Sequence, residues 1–226
     1  MENALKSGSG GLLSHPPVCG VLPMDGVSAD TLKDGSLNLR EMLVVTPSTD
    51  LRNLHRDVWR MAHHKTDRDA RTFLFAVAGD NRVIVRGPHL PPPLSRPVQA
   101  IKAGERWRFV IDVRAVNRER RKECLMSPSD MPGWMATKLS GLTIENLRTS
   151  LPRYRPFEHN RSLPYYAVAG IVHVMDVALA EQVLREGIGR SKGFGFGMLI
   201  LTERLEGEAA GDPQEWAEPT RTESGG

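Results

Sequence analysis

Seven histidines are the side chains here best suited to moving protons near neutral pH. Their settings differ. His15 lies in a Gly/Ser/Pro-rich start, and His89 in a proline-rich connector. His63 and His64 end a helical pattern, where a cation favours the helix dipole. His159 sits in a basic segment and His173 in an apolar, strand-like run. His55 differs from these. In "LRNLHRDVW" it stands one position past Leu54 of an apolar stripe, at the edge between a buried and a wet face. That edge suits a group that must be both held and reachable. Arg52 lies three residues before it, so helix geometry sets the two side by side, with Arg56 one turn beyond Arg52. A proton acceptor beside a guanidinium is what a reaction at a phosphate diester needs. The plainer reading is a surface helix with a solvated histidine and arginines.

A second unusual stretch is "GIGRSKGFGFGMLIL", residues 187–201. Its glycines imply left-handed dihedrals or a backbone that something approaches closely. A dinucleotide fingerprint is excluded, because Lys192 stands where a third glycine is needed and the flanks run helix-to-strand. A Walker loop is excluded because its G-x-x-x-x-G-K-[ST] spacing is absent. "KGFGF" matches the first half of an RNA-recognition consensus, which then fails at Gly197 and Leu199. RNA is therefore the leading ligand. The alternative is a glycine-rich turn that only permits tight packing.

The elements that must position these groups can be read from periodicity. "LNLREMLVV" (37–45) is a strand, and the stripe Leu51, Leu54, Val58, Trp59, Ala62 is an amphipathic helix capped by Thr49 or Asp50. "RTFLFAVAGDNRVIVRG" is a hairpin, and "ERWRFVIDVRAV" (105–116) is the strand expected to close this first unit. A helix started by Pro132 follows. Then come a basic loop "RYRPFEHNR", a strand in "SLPYYAVAGIVHVM", a helix at 176–186 and a last strand in "FGMLIL". Both halves fit β-α-β-β-α-β, so the expected class is α+β with two tandem ferredoxin-like (RRM-like) domains. The expected domains are 37–122 and 123–205, between an extension (1–36) and an acidic tail (206–226).

Charge agrees with a polyanionic partner. The net charge is only +3, but residues 37–202 hold 26 bases against 16 acids, while both ends are acidic. Two runs concentrate the excess: Arg114, Arg118, Arg120, Arg121 and Lys122, then Arg153, Arg155 and Arg161. Tyr154 and Phe157 interleave the second run. No apolar run approaches the ~20 residues of a membrane span. The start lacks a secretion-type apolar region. Cys19 and Cys124 have no metal spacing. A cytoplasmic protein with no metal, cofactor, membrane or small-molecule ligand is expected.

With these pieces in place the chain resembles the CasE family of CRISPR repeat-RNA endoribonucleases. "GIGRSKGFGFG" fits its G-h-G-x5-G-h-G signature through Gly187, Gly189, Gly195 and Gly197. "LREMLVVTPSTDLRNLHRDVW" is similar to its opening strand, loop and helix, and "RWRFVIDVRAVNRERRK" to its F-x-L-R-A-N-P strand. Arg52 stands where the family often has tyrosine, and "RAVNR" lacks the family proline. The resemblance covers about 37–202. It implies two ferredoxin-like domains and metal-independent cleavage of repeat stem-loops. It also implies a place beside other Cascade-type subunits. His55 would then be the acid–base group and Arg52 the phosphate contact. The loop amides, Arg190 and Lys192 would hold the RNA backbone near the first helix. A non-catalytic RNA-binding module is the competing reading, and it has no use for His55.

Overall fold

The computed structural model describes residues 20–21, 37–62, 73–79, 81–119 and 122–206. Apart from 20–21, the extension 1–36 lies outside the described residues, as does the tail from 207. No described helix is long and apolar enough to cross a membrane.

The first antiparallel sheet contains β1 (Gly20–Val21), β2 (Arg40–Val45), β3 (Leu74–Val77), β4 (Arg82–Gly87) and β5 (Arg96–Pro97). Its order is β1-β2-β4-β3, with β5 on the same edge of β2 as β1. The helix α1 (Leu51–Ala62) packs on one face. Asp50 caps it, accepting from the Asn53 amide at 2.9 Å. Leu51, Leu54 and Val58 of the expected stripe are buried over Met42, Val44, Phe75, Val83 and Val85. Where a second crossover helix would stand there is a single 3-10 turn at Pro92–Leu94.

The second sheet runs β12-β6-β11, with β9 and β10 both beside β11. Its strands are β6 (Arg106–Val113), β9 (Leu142–Thr149), β10 (Arg153–Glu158), β11 (Arg161–Val174) and β12 (Ile200–Leu205). The ribbon β7 (Val116–Glu119) and β8 (Lys122–Leu125) leaves the end of β6. Helices α2 (Met131–Lys138) and α3 (Val177–Glu186) cover one face. Asp176 caps α3, and Gly187, at φ +65°, ends it. In the first sheet β5 lies beside β2, and in the second β12 lies beside β6, so the fold is α+β with two tandem ferredoxin-like units.

Three expectations need correction. The strand at 105–116 does not close the first unit; β6 is a central strand of the second, in eight-residue register with β11. Alternation of Trp107, Phe109, Ile111 and Val113 fixes which face is buried, not which sheet accepts the strand. The sheets therefore change over between Pro97 and Arg106, not at residue 122. The basic segment at 153–158 is not a loop; it is β10, hairpinned to β11. The last strand starts later than expected, at Ile200, because left-handed Gly197 (φ +81°) bends the chain just before it.

The two halves are tied by a buried ion pair. Arg86 and Glu41, 2% and 8% exposed, meet at 2.6 Å on the first sheet. Arg86 Nη1 also donates to the Leu184 and Leu199 carbonyls of the second half, at 3.1 and 2.8 Å.

Candidate active site

The helix α1 lies across β10 and the glycine loop. His55 is half-buried, its ring between Trp59 (centroids 5.8 Å) and Phe194 (5.5 Å). Its Nδ1 is 2.6 Å from the carbonyl oxygen of Gly193. A carbonyl can only accept, so Nδ1 carries the proton and Nε2 of the neutral ring keeps its lone pair. That is the tautomer a general base at Nε2 requires. The closeness of loop and first helix, implied by the resemblance, is present in this fold.

Arg52 stands one turn before His55. It is 60% exposed and ion-paired with Glu158 of β10. Arg56 donates to Asn53 on the same helix face. An open groove of about 700 Å³ separates this face from the β10–β11 hairpin, lined by Arg52, Asn53, Arg56, Phe157, His159 and Arg161. Phe157 connects the groove to His55, because it meets Phe194 edge-on at 4.9 Å. The hairpin turn places His159 and Asn160 at positive φ, and His159 Nε2 lies 3.1 Å from Glu158.

The basic residues separate into two kinds. Arg153 and Arg161 are exposed, as is Tyr154 at 70%. Arg155 is not a surface residue: its side chain is 14% exposed, bonded to Asp112 at 2.8 Å and stacked 4.6 Å over the Tyr165 ring. Its Nη1 has no hydrogen-bond partner. Arg114 is likewise inside. It donates to Pro164 O, Ser191 Oγ and Glu123. In this fold these two arginines join elements of the protein. Arg190 is half-exposed and pairs with the other oxygen of Glu123 at 3.1 Å. Of the remaining basic run, Arg118 on β7 and Lys122 on β8 are placed by backbone alone. Arg120 and Arg121 lie outside the described residues.

The four signature glycines all have positive φ. Their first duty is internal. A Cβ on Gly197 would sit 2.0 Å from the Ile188 carbonyl, and the Gly197 amide donates to Asp112 O. The Gly187 and Gly195 amides donate to Val183 O and Lys192 O, and Gly189 packs beneath Trp134. The amides of Gly187, Gly195 and Gly197, expected to hold the RNA backbone, thus each donate to a protein acceptor in this fold. Lys192 Nζ donates back to Gly187 O at 3.3 Å.

Glu158, Ser191 and the Gly193 carbonyl were not read from the sequence as parts of this site. The first had a signal: "EHNR", with Asn in the turn, separates two strand-like runs. The other two carry no motif that points to His55.

Comparisons with known proteins agree with this architecture. A family model described as CRISPR associated protein matches residues 35–203. No curated protein matches the chain by sequence. Among solved structures, Thermus thermophilus Cse3, bound to an RNA representing a pre-cleavage complex, is similar with TM-score 0.60 and 18% identity, covering 73% of this chain and 98% of that one. The CRISPR-associated protein Cas6e from Escherichia coli K-12 gives 0.53 and 16%, covering 72% and 97%. A chain of a CRISPR RNA-guided surveillance complex gives 0.54 and 20%, covering 72% and 98%.

Proposed function

The chain belongs to the CRISPR associated protein family, as its CasE-type motifs imply, and from that premise we propose that it is a metal-independent endoribonuclease cutting CRISPR repeat stem-loops to mature guide RNA. It stays on its product as a subunit of a Cascade-type assembly. RNA supplies its own nucleophile. His55 Nε2 takes the proton of a 2′-hydroxyl, and the 2′-oxygen attacks the adjacent phosphorus. The bond to the 5′-oxygen breaks, and that oxygen takes a proton from water, while His55 returns the proton it accepted to the solvent. The products are a 2′,3′-cyclic phosphate and a 5′-hydroxyl. Arg52 exchanges the Glu158 carboxylate for the cut phosphate and steadies its growing charge. Arg56, Arg161 and Arg153 hold the backbone along the groove and hairpin, where the deep groove of A-form RNA leaves phosphates and shape to be read.

The observation that carries this reading is the contact between Nδ1 of His55 and Gly193 O, which leaves Nε2 as the ring's acceptor. The contact fixes the ring of a half-buried helix histidine from 138 residues away in the chain. The test is cleavage of the cognate repeat RNA in EDTA, beside a substrate with deoxyribose 5′ to the cut. The ribose substrate is expected to be cut and the deoxy substrate only bound. Cutting of the deoxy substrate, or strict dependence on magnesium, removes the mechanism.

A further inference from the structure

We infer that Arg114 and Ser191 are positioning residues that hold the Gly193 carbonyl, and through it the ring of His55. The inference rests on the reading of His55 as the base. It assigns Ser191 a role and gives Arg114 a different one from direct RNA contact.

The geometry forms a chain. Arg114 follows β6 directly and is 8% exposed. Its backbone bridges that of Arg190. Its guanidinium reaches three elements at once: Nε donates to Pro164 O on β11 (3.2 Å), Nη2 to Glu123 on β8 (3.3 Å) and Nη1 to Ser191 Oγ (2.6 Å). A fork with donors fixed in one plane, anchored on β11 and β8, locates the third contact closely. Ser191 is left-handed, at φ 62° and ψ 27°, and starts the 3-10 turn Lys192–Phe194. That turn is short, with Phe194 N donating to Ser191 O and Gly195 N to Lys192 O. A non-glycine residue stays left-handed where its surroundings over-determine it, and the Arg114 contact is such a surrounding. Gly193 is the central residue of the turn, and its carbonyl faces Nδ1 of His55. Loss of the hold on Ser191 lets the turn shift. The ring can then rotate or change tautomer, and the lone pair leaves Nε2.

The test uses the full chain with ring-15N histidine, measuring the His55 ring signals and the single-turnover rate at saturating protein. Wild type is expected to show one tautomer, protonated at Nδ1. Ser191→Ala should show mixed ring signals and a rate lower by about ten- to a hundredfold, the scale of a small misplacement. RNA affinity should stay within about twofold, because contacts needed only for chemistry appear in the rate. Ser191→Gly, which keeps the left-handed backbone accessible without the hydroxyl, should behave like Ser191→Ala. A wild-type ring spectrum in Ser191→Gly overturns the proposal, because backbone conformation and not the Arg114 contact then holds the turn. An unchanged spectrum and rate in Ser191→Ala, beside an inactive His55→Ala, also overturns it while leaving the catalytic reading intact. If His55→Ala cuts normally the catalytic reading fails, and the ring signals still report whether Ser191 positions that side chain.

Discussion

The two ferredoxin-like halves share a strand order but not a state of completion. The second carries both helices, and its core of Trp107, Phe109, Tyr166, Met135 and Leu184 closes between its own sheet, α2 and α3, taking in Leu37 and Leu39 from the start of the first half. Among the described residues the first carries only α1. Space beside α1 is filled by aromatics from the other half: Tyr165 and Phe196 are buried in its core, and Phe157 and Phe194 pack against it. The chain also passes the edge strand β3, so that Met198 meets Leu74 and Ala76 on the opposite sheet face. On the proposed reading the first half bears the chemistry, on a helix whose setting the second half supplies. A missing helix has become a place where two sequence-distant segments meet. The second half contributes the partner carbonyl of His55 and the fixed elements around it.

This comparison can be tested by breaking each side. The largest effect is expected at the chemical side: His55→Ala should slow single-turnover cleavage by roughly 10²–10⁴-fold, the range for losing one acid–base group, with little change in RNA affinity. A rate within threefold of wild type would place the chemistry elsewhere.

Next comes the pin between the halves. Arg86→Ala leaves buried Glu41 with only the longer 3.4 Å contact to Arg96 and removes two contacts to the second half, so unfolding free energy should fall by about 3 kcal/mol. Denaturant titration measures it. A loss below about 1 kcal/mol would show that the pair adds nothing to the union of the halves.

The basic hairpin should divide between grip and strut. Arg153→Ala with Arg161→Ala should lower the salt dependence of RNA binding by about two units of slope, with unfolding little changed. Arg155→Ala should instead lower the melting temperature, since it strands Asp112 and uncovers the Tyr165 ring. A reversed pattern would put Arg155 on the RNA.

The smallest effect belongs to the outer face of the second sheet. There Arg106, and after it His173, hydrogen-bond Glu145 and hold its carboxyl below the usual range near 4.5. A carboxylate with a lowered folded pKa stabilises above its unfolded value, and that contribution is lost as pH falls through the folded one. Glu145→Gln should therefore melt slightly earlier than wild type at neutral pH, and the gap should close as pH falls through the lowered folded pKa of Glu145. A gap that persists in acid would mean that packing, not charge, sets the difference.

The sequence by itself determined what depends on near neighbours. Period 3.6 gave α1 and its buried stripe, the caps Asp50 and Asp176 began their helices, and Gly187 ended α3, because these rest on contacts within a few residues. It also set His55 at a half-buried edge beside Arg52, since both follow from one helical turn. The glycine signature was legible as left-handed backbone, with tight packing as the alternative reading of its use, and the structure shows that packing. Tertiary structure alone decided the rest. Alternation in β6 says that one face is apolar and is silent on which sheet will pair with it. An arginine in a basic run looks the same whether it meets phosphate or protein. Only the approach of Asp112 and Tyr165 turned Arg155 inward, and only Pro164, Glu123 and Ser191 did so for Arg114. The tautomer of His55 depends on a carbonyl 138 residues later in the chain, a backbone group that every residue type possesses and no motif can mark.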